Sequence, residues 1–113
     1  MSINAQKLDD IMTELGHPES LNGTLYLRTA VETYRPGMAI TKELYPAIAK
    51  AHDTTPARAE RCMRHSIETA WARGSDLGQL KWFGYTIDPG RGCPTVSEYV
   101  ARLAKLCHEA VSL

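Results

Sequence analysis

Asp53-Thr54-Thr55-Pro56-Ala57-Arg58-Ala59-Glu60-Arg61-Cys62-Met63-Arg64-His65 is the stretch that decides how this chain folds. Thr55 suits an N-cap, because its hydroxyl can accept from a free N–H of the first helical turn. Pro56 suits the next position, where no N–H is needed and a fixed φ helps. The spacing then predicts a helix over about 56–72, stopping at Arg73-Gly74. Its buried stripe is Ala59, Met63, Ile67, Ala70 and Trp71. On the opposite face Arg58, Arg61, His65 and Glu68 fall at i, i+3, i+7 and i+10, with Ala57 and Arg64 flanking them and Glu60 at the edge.

Upstream, a helix is expected from about Thr41 to His52, with Thr41 as N-cap and Leu44, Ile48 and Ala49 facing inward. Pro46 must fall in its first turn or two. Two helices joined by His52 to Thr55 make a helix-turn-helix over about 41–73. Further back, Leu8, Ile11, Met12 and Leu15 predict a first helix over about 4–15 that Gly16 stops, with a connection at His17-Pro18-Glu19-Ser20. Leu27, Ala30, Val31 and Tyr34 mark a second helix, ended by Pro36-Gly37. Downstream, Ser75 caps a short fifth helix through Leu80, and Asp88-Pro89-Gly90-Arg91-Gly92 reads as a loop. Thr95 and Glu98 form a capping box opening a last helix to about His108, with Tyr99, Val100, Leu103, Ala104 and Cys107 inward. No stretch alternates like a strand for long. The expectation is an all-α, compact six-helix domain spanning 1–113 as one unit.

Composition narrows the functional classes. The 113 residues are 43% hydrophobic and 23% charged, with zero net charge, which excludes a disordered chain. Residues 1–40 carry three basic against five acidic groups, residues 41–73 carry six against four, and residues 74–113 carry four against four. Positive charge therefore collects on the central helices, where it favours phosphate. The apolar runs are too short to span a membrane, and no secretory signal opens the chain. Cys62, Cys93 and Cys107 have no paired spacing, as suits a reducing cytoplasm. Neither they nor His65 and His108 have the spacing of a zinc site, so no metal or cofactor is expected. Trp71, Trp82, Phe83 and Tyr85 are expected in the core. No nucleophile triad, glycine-rich phosphate loop or spaced carboxylate pair points to an enzyme.

The arginine face has a chemistry of its own. Arg donates two hydrogen bonds to O6 and N7 of guanine, and a carboxylate accepts from N4 of cytosine. Arg58, Glu60, Arg61 and Arg64 are thus candidates for reading bases in the major groove, with Thr54 and Thr55 at phosphates. An arginine-rich helix face is also what a solvated surface looks like. The residues alone leave both readings open.

Ile40-Thr41-Lys42-Glu43-Leu44-Tyr45-Pro46-Ala47-Ile48-Ala49-Lys50, followed by Thr54 to His65, resembles one family: the C-terminal DNA-binding effector domain of the stage-zero sporulation response regulator of endospore-forming bacteria. Ile67-Glu68, Ala70-Trp71, Arg73-Gly74, Phe83-Gly84-Tyr85-Thr86, Pro94-Thr95 and Ser97-Glu98 extend the likeness from about Ile11 to Leu106. The resemblance implies a six-helix domain whose fourth helix reads a short asymmetric promoter box in double-stranded DNA. It implies that Arg58, Glu60, Arg61, Arg64 and His65 face DNA. His65 and Arg91 then join Thr54 and Thr55 as backbone or flanking contacts. It also implies self-association on neighbouring boxes through the last helix, and an N-terminal phosphoacceptor receiver in full-length members, which is not expected within these 113 residues. An excised and a free-standing effector domain both fit. Ala57 stands where the family typically has serine, and Arg91 is the only cation of its loop. Transcriptional output would further need a surface for RNA polymerase. The alternative expectation is an interaction domain that pairs with a full-length regulator or another protein through the last helix.

Overall fold

The computed structural model describes residues 4–18, 21–73, 76–83 and 93–109. Helix α1 runs Ala5–Glu14, and Asn4 caps it by accepting from the Lys7 N–H at 3.0 Å. Gly16 ends it at φ +89°. There the Gly16 N–H donates to the Thr13 carbonyl and the His17 N–H to that of Met12, both at 3.1 Å. This left-handed close suits glycine, which has no Cβ to clash. Helix α2 runs Asn22–Thr33 and buries Leu27, Ala30 and Val31. Tyr34, expected on that stripe, lies just beyond the helix in extended backbone and packs part-buried on the core.

The next helix opens differently from expectation. Thr41 is not its N-cap. A wide π-helical turn, Ile40–Leu44, precedes helix α3, Tyr45–Ala51. The Leu44 N–H donates to the Ala39 carbonyl at 3.1 Å, and the Glu43 carboxylate accepts from the Ala39 N–H at 2.9 Å. Pro46 supplies the reason: it has no N–H to offer the carbonyl one turn back, and its ring needs space there. Helix α4 then runs Pro56–Arg73, with the Arg58 N–H donating to the Thr55 hydroxyl at 3.2 Å, as the sequence predicts.

Helix α5 runs Asp76–Phe83, three residues past the expected end at Leu80. The expected cap Ser75 and the loop 88–92 lie outside the described residues. The extension delivers Phe83 to the core, where it stacks on Tyr99 at 5.0 Å and meets Trp71 edge-on at 5.4 Å. Trp71 and Trp82 sit only part-buried at the rim, and Tyr85 lies outside the described residues. The Trp82 indole N–H donates to Glu14 at 2.5 Å, so a polar tip holds that ring at the surface. Helix α6, Val96–Glu109, starts in the capping box: the Thr95 N–H donates to Glu98 at 3.0 Å, and the Glu98 N–H to the Thr95 hydroxyl at 3.2 Å.

The architecture is all-helical, with six α-helices and no strand among the described residues. One apolar cluster joins Leu8, Ile11 and Leu15 of the α1 region to Leu27, Val31, Leu44, Ile48, Met63, Ile67, Tyr99 and Leu103. Truncating one such aliphatic side chain to alanine typically costs about 2–5 kcal/mol. Helix α4 packs chiefly against α2 and α3, which leaves its remaining face to solvent.

Candidate nucleic-acid interface

The interface begins with the turn that aims α4. At the end of α3 the His52 N–H donates to Ile48 at 3.0 Å and the Thr54 N–H reaches back to Ala49 at 2.9 Å. Closing the helix this way needs a left-handed residue between them, and Asp53 takes it at φ +52°. Asp and Asn tolerate that region better than other L residues. The turn is also tied sideways: His52 Nε2 lies 2.6 Å from the Thr29 hydroxyl, and its ring packs 4.8 Å from Tyr26 of α2. Ala49, 4% exposed, is small enough for the close crossing of α3 and α4.

Helix α4 then divides cleanly. Ala59, Met63, Ser66, Ile67 and Ala70 are buried, whereas Ala57, Arg58, Arg61, Arg64, His65 and Glu68 are exposed. Among the described residues, the guanidinium groups of Arg58 and Arg61 have no ion-pair partner. Arg64 is paired with the half-buried Glu60 at 3.3 Å, one turn apart. Glu60 also faces Tyr45 of α3; burial first, and this carboxylate second, raise the Tyr45 phenol above its usual range. The backbone contacts expected from the sequence separate. The Thr55 hydroxyl accepts from the Arg58 N–H and caps α4 from an exposed position. The Thr54 hydroxyl oxygen is buried without a partner among the described residues, so it does not present itself to solvent as the expected phosphate contact would. His65 stands exposed beside the arginines, and Arg91 lies outside the described residues.

Two features that position this face carry no motif. Gly23 of α2 packs against the backbone of α4 at Cys62, and an open groove of about 390 Å³ lined by Leu21, Asn22, Gly23, Arg61, Cys62 and His65 runs along this contact. The only sequence signal was a glycine within a helical pattern, which often marks a close approach. The second feature is a buried polar chain. His17 Nδ1 lies 2.9 Å from the Ser66 hydroxyl of α4, and His17 Nε2 lies 2.5 Å from the Tyr99 hydroxyl of α6. Ser66 also meets the Thr24 hydroxyl of α2 at 2.9 Å, and Thr24 donates to the Pro18 carbonyl at 2.7 Å. Burial lowers the His17 imidazole to about 4, so it is neutral near pH 7. Its partners are 49 and 82 residues away, beyond the reach of local patterns.

Among the described residues, no group of three or more His, Cys, Asp or Glu side chains could hold a metal ion. No helix of the described residues is long and apolar enough to cross a membrane. A family model described as "Sporulation initiation factor Spo0A C terminal" matches residues 8–106 of the chain.

Proposed function

The chain belongs to the family of sporulation initiation factor Spo0A C-terminal domains, DNA-binding effector domains of transcription regulators, and from that premise we propose that it binds a specific promoter box in double-stranded DNA through α4. The observation that carries this reading is the division of α4: a fully buried stripe on one side, and on the other Arg58 and Arg61, exposed and without an ion-pair partner among the described residues. Unpaired guanidinium groups reach guanine without first breaking an ion pair. Arg64 and Glu60 meet DNA only by exchanging their mutual contact for base contacts. That exchange is cheap, because a surface pair one helical turn apart contributes only about 0.3–0.5 kcal/mol. In this reading Arg58, Glu60, Arg61 and Arg64 read bases, while Thr54, Thr55, His65 and Arg91 serve the backbone or flanking positions.

The chain acts in the cytoplasm as a non-enzymatic regulator, and neighbouring copies associate on tandem boxes through α6. The outer side of α6 supports this, because Ala101, Arg102 and Lys105 line a groove with Phe83 and Pro94. The salt-dependent phosphate contribution scales with the cationic contacts actually made, here by the basic groups of residues 41–73, and discrimination rests on base contacts. Fluorescence anisotropy against single-box, tandem-box and shuffled duplexes at two salt concentrations tests the reading. A preference of about 10³-fold or more for the box is expected. Equal binding to box and shuffled duplexes overturns base reading. Binding to neither favours the protein-interaction role.

A further inference from the structure

The buried chain from Tyr99 to Pro18 has only one consistent arrangement of protons. Thr24 has a single hydroxyl hydrogen, and it is committed to the Pro18 carbonyl. Thr24 must therefore accept from Ser66, which commits the one hydrogen of Ser66. Ser66 in turn accepts from His17 Nδ1–H. A neutral imidazole protonated at Nδ1 offers Nε2 as an acceptor, so the Tyr99 O–H donates to it. Tyr99 and Ser66 are both 0% exposed, so water does not substitute for the links that they make.

Each link joins a different element. Pro18 and His17 follow α1, Thr24 is on α2, Ser66 on α4 and Tyr99 on α6. Ser66 lies immediately after His65 and one helical turn beyond Cys62, whose carbonyl abuts Gly23. Turning α4 about its axis would break the bonds at Ser66 and leave buried hydroxyls unpaired, at about 1–3 kcal/mol each. Sliding it would drive Cys62 into α2. We propose that Ser66 is a positioning residue for DNA reading. The one-way chain Tyr99→His17→Ser66→Thr24→Pro18 fixes the rotation of α4 and hence the direction of Arg58, Arg61 and Arg64. This inference rests on the DNA-reading function proposed above and assigns it a device in the core, on the side of α4 away from DNA.

Tyr99→Phe and Ser66→Ala remove single hydroxyls while keeping the packed shape, and Val100→Ala is a cavity control in the same core. The measurements are the ratio of affinities for box and shuffled duplexes, the thermal midpoint, and ¹⁵N NMR of the free protein. Tyr99→Phe and Ser66→Ala should each lower the ratio about tenfold, and the double variant should lower it little further, since both cut one chain. Val100→Ala should lower the midpoint and leave the ratio alone. The His17 nitrogens should show Nδ1 protonated, and Tyr99→Phe should shift the amide resonances of Arg58 to Arg64. An Nε2-protonated ring, or hydroxyl variants that change only the midpoint, overturns the proposal. A wild-type protein without box preference overturns the DNA reading instead. The amide shifts of the free protein then decide the register device by themselves: shifts in Tyr99→Phe support it, and none overturns it.

Discussion

Gly23 of α2 and Cys62 of α4 approach so closely that a Cβ on Gly23 would fall 2.0 Å from the Cys62 carbonyl oxygen. That atom is backbone in the middle of a helix, so it cannot swing aside as the end of a long side chain would. Gly23→Ala should therefore push α2 and α4 apart. The expected loss is about 1–3 kcal/mol, the usual range for overpacking, read from urea unfolding. An alanine variant as stable as wild type would show that the helices separate without cost.

His17 should make stability depend on acidity. Its imidazole lies at about 4 in the folded chain against 6.5 in an exposed one. Between those values the unfolded chain binds a proton that the folded chain refuses. Stability is therefore full above about pH 6.5 and falls as the pH drops towards 4, by about 3 kcal/mol in total. Carboxylates titrate in the same window, so the measurement is the difference between wild type and His17→Gln. Unfolding midpoints of the variant should decline less steeply; parallel declines would contradict the assignment.

Arg61 and Glu60 should separate affinity from discrimination. Arg61→Ala is expected to cost about 1–3 kcal/mol on the box and to relax preference at one base pair. Glu60→Gln removes a negative charge and frees Arg64. It should tighten binding to a shuffled duplex while narrowing the preference for the box. Anisotropy titrations on both duplexes check the pair, and equal loss on both duplexes in Arg61→Ala would leave that arginine a phosphate contact.

Asp53 sits at φ +52° between the two helices of the helix-turn-helix. Glycine adopts that conformation freely, whereas a β-branched side chain resists it. Asp53→Gly should leave the thermal midpoint unchanged or higher. Asp53→Val should lower stability by about 1–2 kcal/mol and loosen the aim of α4.

Thr95 opens α6 by accepting from the Glu98 N–H at 3.2 Å. Thr95→Ala should cost about 1 kcal/mol, the typical value of a lost N-cap, and speed amide exchange in the first turn of α6.

The outline of the fold was legible because helix boundaries are local chemistry. Thr55-Pro56, the Thr95–Glu98 pair and Gly16 each settle backbone donors or acceptors within a few residues of themselves. Stripes such as Ala59, Met63 and Ile67 declare a buried face by spacing alone, and so expose Arg58, Arg61 and Arg64 on the other. The start of α3 departs from expectation for a related reason. Thr41 is a reasonable cap by type, but Pro46 five residues later controls the hydrogen bonding of that turn.

What the sequence determined by itself is therefore the set of six α-helices, the caps at Thr55 and Thr95, and the residues that α4 turns outward. The tertiary structure alone decided how α4 is held. Nothing near Ser66 announces that its hydroxyl will meet a histidine 49 residues earlier, or that the same ring will accept from a tyrosine 82 residues later. Nor does Gly23 announce the carbonyl of Cys62. Caps and stripes depend on neighbours a few residues away along the chain. Buried polar pairing and backbone close approach depend on which helices meet in space, and that is set by the packing of the whole core.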